Sequence, residues 1–104
     1  MANSITSERL WVLDTAAEIN GVGEQTWITR LYYVPAAADN ACTIQEYSSA
    51  GVLRTAAYIK AGATDASPVD QPYNEPGPRY FNGFKLSAIS GGVLYVYLAP
   101  QNTK

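Results

Sequence analysis

The sequence predicts an all-β protein, a single-domain antiparallel β-sandwich or small barrel of about six to seven strands. Short runs rich in β-branched and aromatic residues recur along the 104 residues, and turn-forming clusters of Gly, Pro, Ser, Asn or Asp separate them. No run has the spacing of an amphipathic helix. The length leaves room for one hydrophobic core.

In the N-terminal part, we expect a first strand over about residues 9–13, after an N-terminal arm formed by residues 1–8. Residues 15–23 are interpreted as a loop, because two glycines interrupt any regular element there. The run QTWITRLYYV, residues 25–34, gives the strongest strand signal of this part, and a proline ends it.

A hairpin is predicted over residues 41–59, where the run ACTIQEY is followed by a Ser-Ser-Ala-Gly turn and a returning strand. Cys42 lies in its first strand and is the one cysteine of the chain, so no intrachain disulfide forms. We interpret Cys42 as a small buried hydrophobic residue rather than a reactive thiol.

Residues 60–78 are predicted to form a long proline-rich loop, because they contain too many prolines and glycines for a helix or an inner strand. Loops of this length are usually functional or disordered. Asp65, Asp70 and Glu75 recur every five residues in it, and carboxylates so spaced could meet around calcium or act as a glycosidase-like pair. We favour the alternative that they merely keep the loop hydrated, since the spacing matches no calcium loop.

The stretch RYFNGFKLSAISGGVLYVYL, residues 79–98, is predicted to close the domain as a β-hairpin with its turn at Ser-Gly-Gly. In its first strand, Tyr80, Phe84, Leu86 and Ala88 are expected on one face. Its second strand has no polar group except tyrosine hydroxyls, so we expect a central strand covered on both faces. Residues 99–104 are expected to form a short C-terminal tail.

The composition argues against several functional classes. The net charge is −2 and the seven basic residues are scattered, which predicts no nucleic-acid or anionic-membrane partner. The chain has no histidine, and its glycines form no phosphate-binding pattern. We therefore expect no enzymatic activity, catalytic residue, metal or cofactor. The N-terminus lacks a signal-peptide pattern and no apolar run reaches membrane-spanning length, which predicts synthesis in the cytoplasm.

Aromatic side chains are the remaining candidates for function. If Trp11, Tyr73 and Tyr80 formed an exposed platform, it could stack on a sugar or contact a protein. For Trp27, Phe84 and Tyr95 we favour a structural role in the core or in cross-strand pairs. For Tyr73, exposure or an intersubunit contact is as plausible as packing.

Three segments in order, TWITRLYYVPAAA, YSSAGVLRTAA and FNGFKLSAISGGVLYVYL, resemble a group of small phage virion proteins. In that group a turn with Gly-x-x-Leu precedes a final hairpin of the form GFxLxxLxxGxLYVYL. The resemblance spans residues 25–98, and the matching positions are Gly83, Phe84, Leu86, Gly92, Leu94, Tyr95, Val96, Tyr97 and Leu98.

This resemblance implies a capsid decoration or cement protein of the virion, whose partner is the lattice of the major capsid protein. It also implies a homo-oligomer, a dimer or trimer that bridges capsid subunits and matches the local symmetry. It carries over no binding residue, because the matching positions look like determinants of the fold.

The N-terminal arm and the proline-rich loop are our hypothesis for the contacts with the shell or between subunits. The candidate interface residues are Ile5, Trp11, Pro68, Pro72, Tyr73, Pro76 and Tyr80. The alternative is a tail-associated or carbohydrate-binding module that uses exposed aromatics. A third possibility, a small hydrolase, would place the loop carboxylates in a concave pocket.

Overall fold

A computed structural model describes Asn3 and residues 10–73 and 77–99. The prediction of an antiparallel all-β domain is confirmed, and the described residues contain no helix. The seven strands are β1 (Leu10–Leu13), β2 (Ala17–Val34), β3 (Ala41–Tyr47), β4 (Leu53–Lys60), β5 (Val69–Pro72), β6 (Arg79–Ile89) and β7 (Val93–Leu98). The hairpin predicted over residues 41–59 is present as β3 and β4.

The strands form one sheet with the order β1-β7-β2-β6-β3-β4, and β5 also pairs with β2. Strand β2 has 18 residues, which would span about 56 Å if straight. The longest dimension of the molecule is only 39 Å, so β2 must bend. Its first part, up to Ile28, pairs with β6, and its second part pairs with β5 and β7.

The bend divides the sheet into two halves. The β3 half consists of the first part of β2 with β6, β3 and β4, and the β7 half consists of the second part of β2 with β5, β7 and β1. The core lies between the inner faces of the halves, where ten large side chains from five of the described strands are fully buried: Leu13, Ile28, Leu31, Tyr33, Ile44, Phe81, Phe84, Leu86, Leu94 and Val96. This two-layer packing is what stabilises the predicted sandwich or small barrel.

The prediction of a loop over residues 15–23 is wrong, because most of these residues belong to β2. The glycines are accommodated in a bulge instead of ending the strand. Asn20 lies opposite Phe84, whereas Gln25 lies opposite Asn82. Residues 21–24 of β2 therefore stand against the single residue Gly83 of β6, and the strand resumes its pairing beyond them.

The prediction of a C-terminal hairpin is also wrong, because β6 and β7 do not pair with each other in the described chain. Strand β2 lies between them, and the Ser-Gly-Gly segment links the two halves of the sheet. The predicted central position of β7 is correct, since β7 pairs with both β1 and β2. Its predicted burial on both faces is not, because Tyr95 and Tyr97 are only half-buried.

The prediction that Tyr80, Phe84, Leu86 and Ala88 share one face of β6 is correct only in part. Phe84 and Leu86 are buried as expected, but Tyr80 is 40% exposed and Ala88 also faces outward. Tyr80 faces outward because Gly83, with a φ of 77°, breaks the two-residue alternation. Before this glycine Phe81 faces the core, and after it Phe84 and Leu86 do. Ala88 lies beyond a second irregularity, where the pairing of β6 with β3 shifts register between Thr43 and Ile44.

The segment predicted as a long loop contains a strand, β5, which pairs with the second part of β2. Pro72 is tolerated there because β5 is an edge strand with one side unpaired in the described chain. The predicted tail also begins as part of the fold: the Ala99 N–H donates to the Trp27 carbonyl at 2.9 Å, and Ala99 is buried. Residues 100–104 lie outside the described residues.

Candidate binding face

The outer surfaces of the two halves differ in chemistry. On the β3 half, polar outward residues such as Thr43, Gln45 and Lys85 stand among aromatic ones, namely Tyr47, Tyr58 and the pair Trp27 and Tyr80. The outer surface of the β7 half carries tyrosines and aliphatic residues around one arginine. Because tyrosine and arginine side chains are typical of protein interfaces, the outer surface of the β7 half is the candidate site.

Strand register places the outward residues of the β7 half in two rows that cross β1, β7, β2 and β5. One row is Leu10, Tyr97, Arg30 and Pro72, and the other is Val12, Tyr95, Tyr32 and Asp70. We call six of these residues the tyrosine face: Leu10, Val12, Arg30, Tyr32, Tyr95 and Tyr97. Each of the six is half-buried by its neighbours, and the described chain lays no further layer over them.

Arg30 is held in the middle of the tyrosine face. Its guanidinium carbon lies 5.1 Å from the ring centre of Tyr32 and 5.5 Å from that of Tyr97. Its Nε and Nη2 donate to the two carboxylate oxygens of Asp70, at 2.7 and 3.1 Å. This bidentate geometry and the cation–π contacts limit the rotamers of Arg30, so that less entropy would be lost if a ligand contacted it.

Asp70 also favours the charged form of the arginine. The hydrogen bonds from Arg30 to the carboxylate raise the pKa of the guanidinium above its ordinary value. Arg30 therefore stays charged at any physiological pH. Both side chains are more than 40% exposed, so water screens their attraction and the pair adds little to folding stability. Its main effect is to orient Arg30.

A shallow pocket opens beside the tyrosine face, on the side of β5. Thr29, Arg30, Asp70 and Pro72 line it. The Thr29 hydroxyl donates to the Tyr97 carbonyl at 3.1 Å, which leaves the charged pair as the polar group of the pocket. A ligand group with hydroxyls or a carbonyl would meet both donors and acceptors here.

The three aromatics proposed as a platform do not share a surface. Trp11 is buried, with its ring 5.5 Å from that of Phe84. Tyr73 is half-buried against Phe81, and burial raises the pKa of its phenol above the ordinary value. Tyr80 faces outward on the β3 half. Its ring lies 5.1 Å from that of Trp27, its cross-strand neighbour, which agrees with the structural role predicted for that tryptophan.

The other predicted interface residues are dispersed. Pro68 is exposed before β5, and Pro72 ends the first row beside the tyrosine face. Ile5 and Pro76 lie outside the described residues. Of the predicted N-terminal arm, only Asn3 is described, and its carboxamide oxygen accepts the N–H of Asp14 at 2.8 Å and that of Thr15 at 2.9 Å. Asn3 is thus attached to the turn between β1 and β2.

The loop carboxylates have separate partners. Asp65 accepts the Ser67 N–H at 3.1 Å, as in an Asx turn, and Asp70 pairs with Arg30. Glu75 lies outside the described residues. Within the part of the chain that the structure describes, no group of three or more Cys, Asp or Glu residues comes together as a metal site would require.

Cys42 is buried in β3, as predicted. Burial raises the pKa of its thiol from 9.0 to about 12, so the thiol remains protonated at neutral pH. Because the thiolate is the nucleophilic form, Cys42 is chemically inert in the folded protein.

The sequence interpretation missed the tyrosine face. It assigned the tyrosines of β7 to a covered surface and treated Arg30 as one of several scattered basic residues. The available signal was the two-residue spacing of Arg30 with Tyr32 and of Tyr95 with Tyr97. This spacing places each pair on one face of its strand. Only the pairing of β2 with β7 shows that the outward residues of these two strands form one surface.

Comparisons with known proteins assign no function to the chain. No protein-family model matches the chain, and neither a curated protein nor a solved structure matches it. Across residues 10–73 and 77–99, no helix is long and apolar enough to cross a membrane.

Proposed function

We propose that the chain is a non-enzymatic structural protein of a phage virion, a capsid decoration or cement protein that binds the shell through its tyrosine face. The proposal combines the sequence resemblance with one structural observation, the grouping of Tyr32, Tyr95 and Tyr97 around Arg30 on one outer surface of the sheet. Tyr and Arg are the residues that most often dominate binding energy at protein interfaces.

The size of the tyrosine face fits a repeated, individually weak contact. Three strands at about 4.8 Å spacing and two rows of side chains cover about 190 Å² of sheet surface. A stable pairwise interface needs about 800 Å² on each partner. One face alone therefore binds weakly. Several faces on one oligomer would bind a regular lattice much more tightly, because the later contacts are intramolecular.

Co-sedimentation with purified empty capsid shells tests the proposal. The variant is Tyr95→Ala with Tyr97→Ala, which removes the two rings of β7 from the tyrosine face and leaves the inward residues unchanged. We expect the double variant to lose co-sedimentation. The control is Gln45→Ala with Lys85→Ala, which removes two facing side chains from the β3 half.

The control should co-sediment as the unaltered protein does, and circular dichroism should show that both variants are folded. If the tyrosine variant still pellets with shells to the same extent, the tyrosine face is not the contact. If neither the unaltered protein nor the control pellets with them, the decoration function itself is rejected.

A second candidate is a tail-associated or carbohydrate-binding module. The observation that favours it is the pocket at Arg30 and Asp70, where charged donors and acceptors adjoin the ring of Tyr97. Sugars are recognised by such a combination of stacking and polar contacts. Binding on a glycan array that is lost with Asp70→Ala, together with indifference to shells, would favour this function over the first.

A further inference from the structure

Strand β4 is a free edge of the described sheet along its whole length. Within the described chain β4 pairs with β3 alone, so one side of its eight residues has no strand beside it. The other outer strands, β1 and β5, have four residues each, and β5 ends in a proline. Strand β4 contains no proline. It is therefore the edge best able to add another strand.

Hydrogen bonds at the two ends of the β3–β4 hairpin show which backbone groups of β4 are free. At one end the Ala61 N–H donates to Asn40, and at the other the Ser48 N–H donates to Val52, both at 2.8 Å. In an antiparallel ladder every second residue directs its backbone groups toward the same neighbour. Counting inward from Ala61, Lys60 and Tyr58 direct theirs away from β3.

Counting inward from Val52, Leu53 and Thr55 also direct their backbone groups away from β3. The two counts meet at a bulge, because Thr55 pairs with Gln45 and Ala57 pairs with Ile44, which leaves Ala56 as an extra residue. The bulge makes the four free positions symmetric about the Ala56–Ala57 peptide. Leu53 and Lys60 are equally far from it, and so are Thr55 and Tyr58.

We propose that two copies of the chain pair antiparallel along β4, with the two-fold axis between Ala56 and Ala57. In this register Leu53 of each copy lies opposite Lys60 of the other, and Thr55 lies opposite Tyr58. Each free N–H and C=O of one copy then meets a free group of its symmetry mate. The edge is self-complementary, as an isologous dimer interface must be.

The side chains agree with this register. A β-branched residue opposite an aromatic one, here Thr55 and Tyr58, is a favourable cross-strand pair. Lys60 of one copy lies opposite Leu53 of the other and not opposite the second Lys60. Only Ala56 and Ala57 lie at the two-fold axis. Tyr58 is 62% exposed and Val52 is 63% exposed, so pairing would also shield two of the most exposed large apolar side chains of the described chain.

This inference deepens the oligomer of the proposed function, since a dimer joins two tyrosine faces in one particle. It rests on the β4 edge alone and is tested without shells. Light scattering or sedimentation over a concentration series should give twice the mass of one chain. A mass of one chain at every concentration would overturn the proposal, and co-sedimentation of that monomer with shells would leave shell binding intact.

Charge substitutions test the register. The pair Thr55→Lys with Tyr58→Lys places like charges opposite each other twice across the axis. It should therefore weaken dimerisation by at least about tenfold. Thr55→Lys with Tyr58→Glu places opposite charges there and should keep the dimer, which 1 M salt should then weaken. Both variants change the same two exposed positions, so a folding defect would affect them alike.

A control, Ala88→Lys with Gln71→Lys, adds the same two charges at exposed positions on other strands and should remain a dimer. Thermal melts monitored by circular dichroism confirm folding. If the Lys–Lys and Lys–Glu variants dimerise equally well, then Thr55 and Tyr58 are not opposite each other and this register is wrong.

Discussion

The indole ring of Trp11 packs edge-on against the phenyl ring of Phe84, with centroids 5.5 Å apart and planes inclined by 70°. Trp11 lies on β1 and Phe84 on β6, strands that are not neighbours in the sheet. Their contact therefore joins the β7 half to the β3 half across the core. We expect Trp11→Ala to lower the free energy of unfolding by about 3–5 kcal/mol, because it leaves a cavity between the halves.

Chemical denaturation followed by circular dichroism measures that loss. The control is Tyr80→Ala, which removes an aromatic ring from the outer face of β6 and should cost no more than about 1 kcal/mol. Similar losses for the two variants would mean that the Trp11–Phe84 contact is not a main source of stability.

The link between β6 and β7 depends on Gly92. Its φ is 84°, and an added Cβ atom would come within 2.7 Å of the Pro35 Cα atom and closer still to the Val34 carbonyl oxygen. Gly51 has nearly the same φ, 81°, but an added Cβ there meets nothing within 4 Å. Gly51→Ala should therefore cost only the left-handed backbone strain, roughly 1–2 kcal/mol.

Gly92→Ala should cost clearly more than Gly51→Ala, roughly 3 kcal/mol or more, because backbone atoms must move as well. Urea denaturation of the two variants gives the difference directly. Equal costs would indicate that the Ser-Gly-Gly link has room to relax away from Val34.

Glu46 is a buried carboxylate that depends on its partners. It is 6% exposed, and it accepts from Arg79 Nη2 at 2.9 Å and from the Asn82 N–H at 3.2 Å. Glu46→Ala leaves both donors without this acceptor, and we expect a loss of about 2–4 kcal/mol in the free energy of unfolding. Thermal or chemical unfolding measures it.

Asp70→Ala provides the contrast for Glu46, since it removes a carboxylate from an exposed pair with Arg30. Its effect on stability should stay below about 1 kcal/mol. A larger loss for Asp70→Ala than for Glu46→Ala would reverse the expected order of buried and exposed ion pairs.

Cys42 makes stability depend on pH in alkaline solution. Its thiol has a pKa of about 12 in the folded protein against an ordinary 9.0. Because the raised pKa favours the protonated thiol, this stabilisation is complete below about pH 9 and is lost as the pH rises toward about 12. By about pH 11 the loss should approach about 3 kcal/mol.

Comparison with Cys42→Ala isolates this contribution. Tyr73, whose pKa burial raises, is present in both proteins and cancels in the difference. Tyr33 does not cancel fully, because the charge of Cys42 contributes to the raised pKa of its phenol. The free energy of unfolding of the variant should fall less steeply between about pH 9 and 11. Parallel pH profiles would show that Cys42 is not desolvated as the fold implies.

The fold class and the β3–β4 hairpin could be predicted because the signals that carry them are local. Runs of β-branched and aromatic residues between turn residues predict strands wherever they occur, and a Ser-Ser-Ala-Gly turn joins neighbouring strands. What could not be predicted was pairing between strands distant in sequence. The Ser-Gly-Gly segment has the composition of a hairpin turn, yet it links strands that both pair with β2.

Bulges account for most of the other differences. Gly21 and Gly23 have the composition of a loop, but their backbone freedom lets β2 continue past an irregular pairing with β6. Gly83 reverses the alternation of β6 and so exposes Tyr80. The tyrosine face follows the same logic, since it exists only where the outward residues of β2 and β7 come into register.

The bent strand β2 has a consequence for how the protein folds. Strand β2 is hydrogen-bonded to strands of both halves, so unfolding of one half removes a paired strand from the other. The two halves should therefore unfold in a single cooperative transition. Among the described strands, the first, β1, pairs with the last, β7. Closing such a long loop is slow, and the core stays incomplete during synthesis until β7 has left the ribosome.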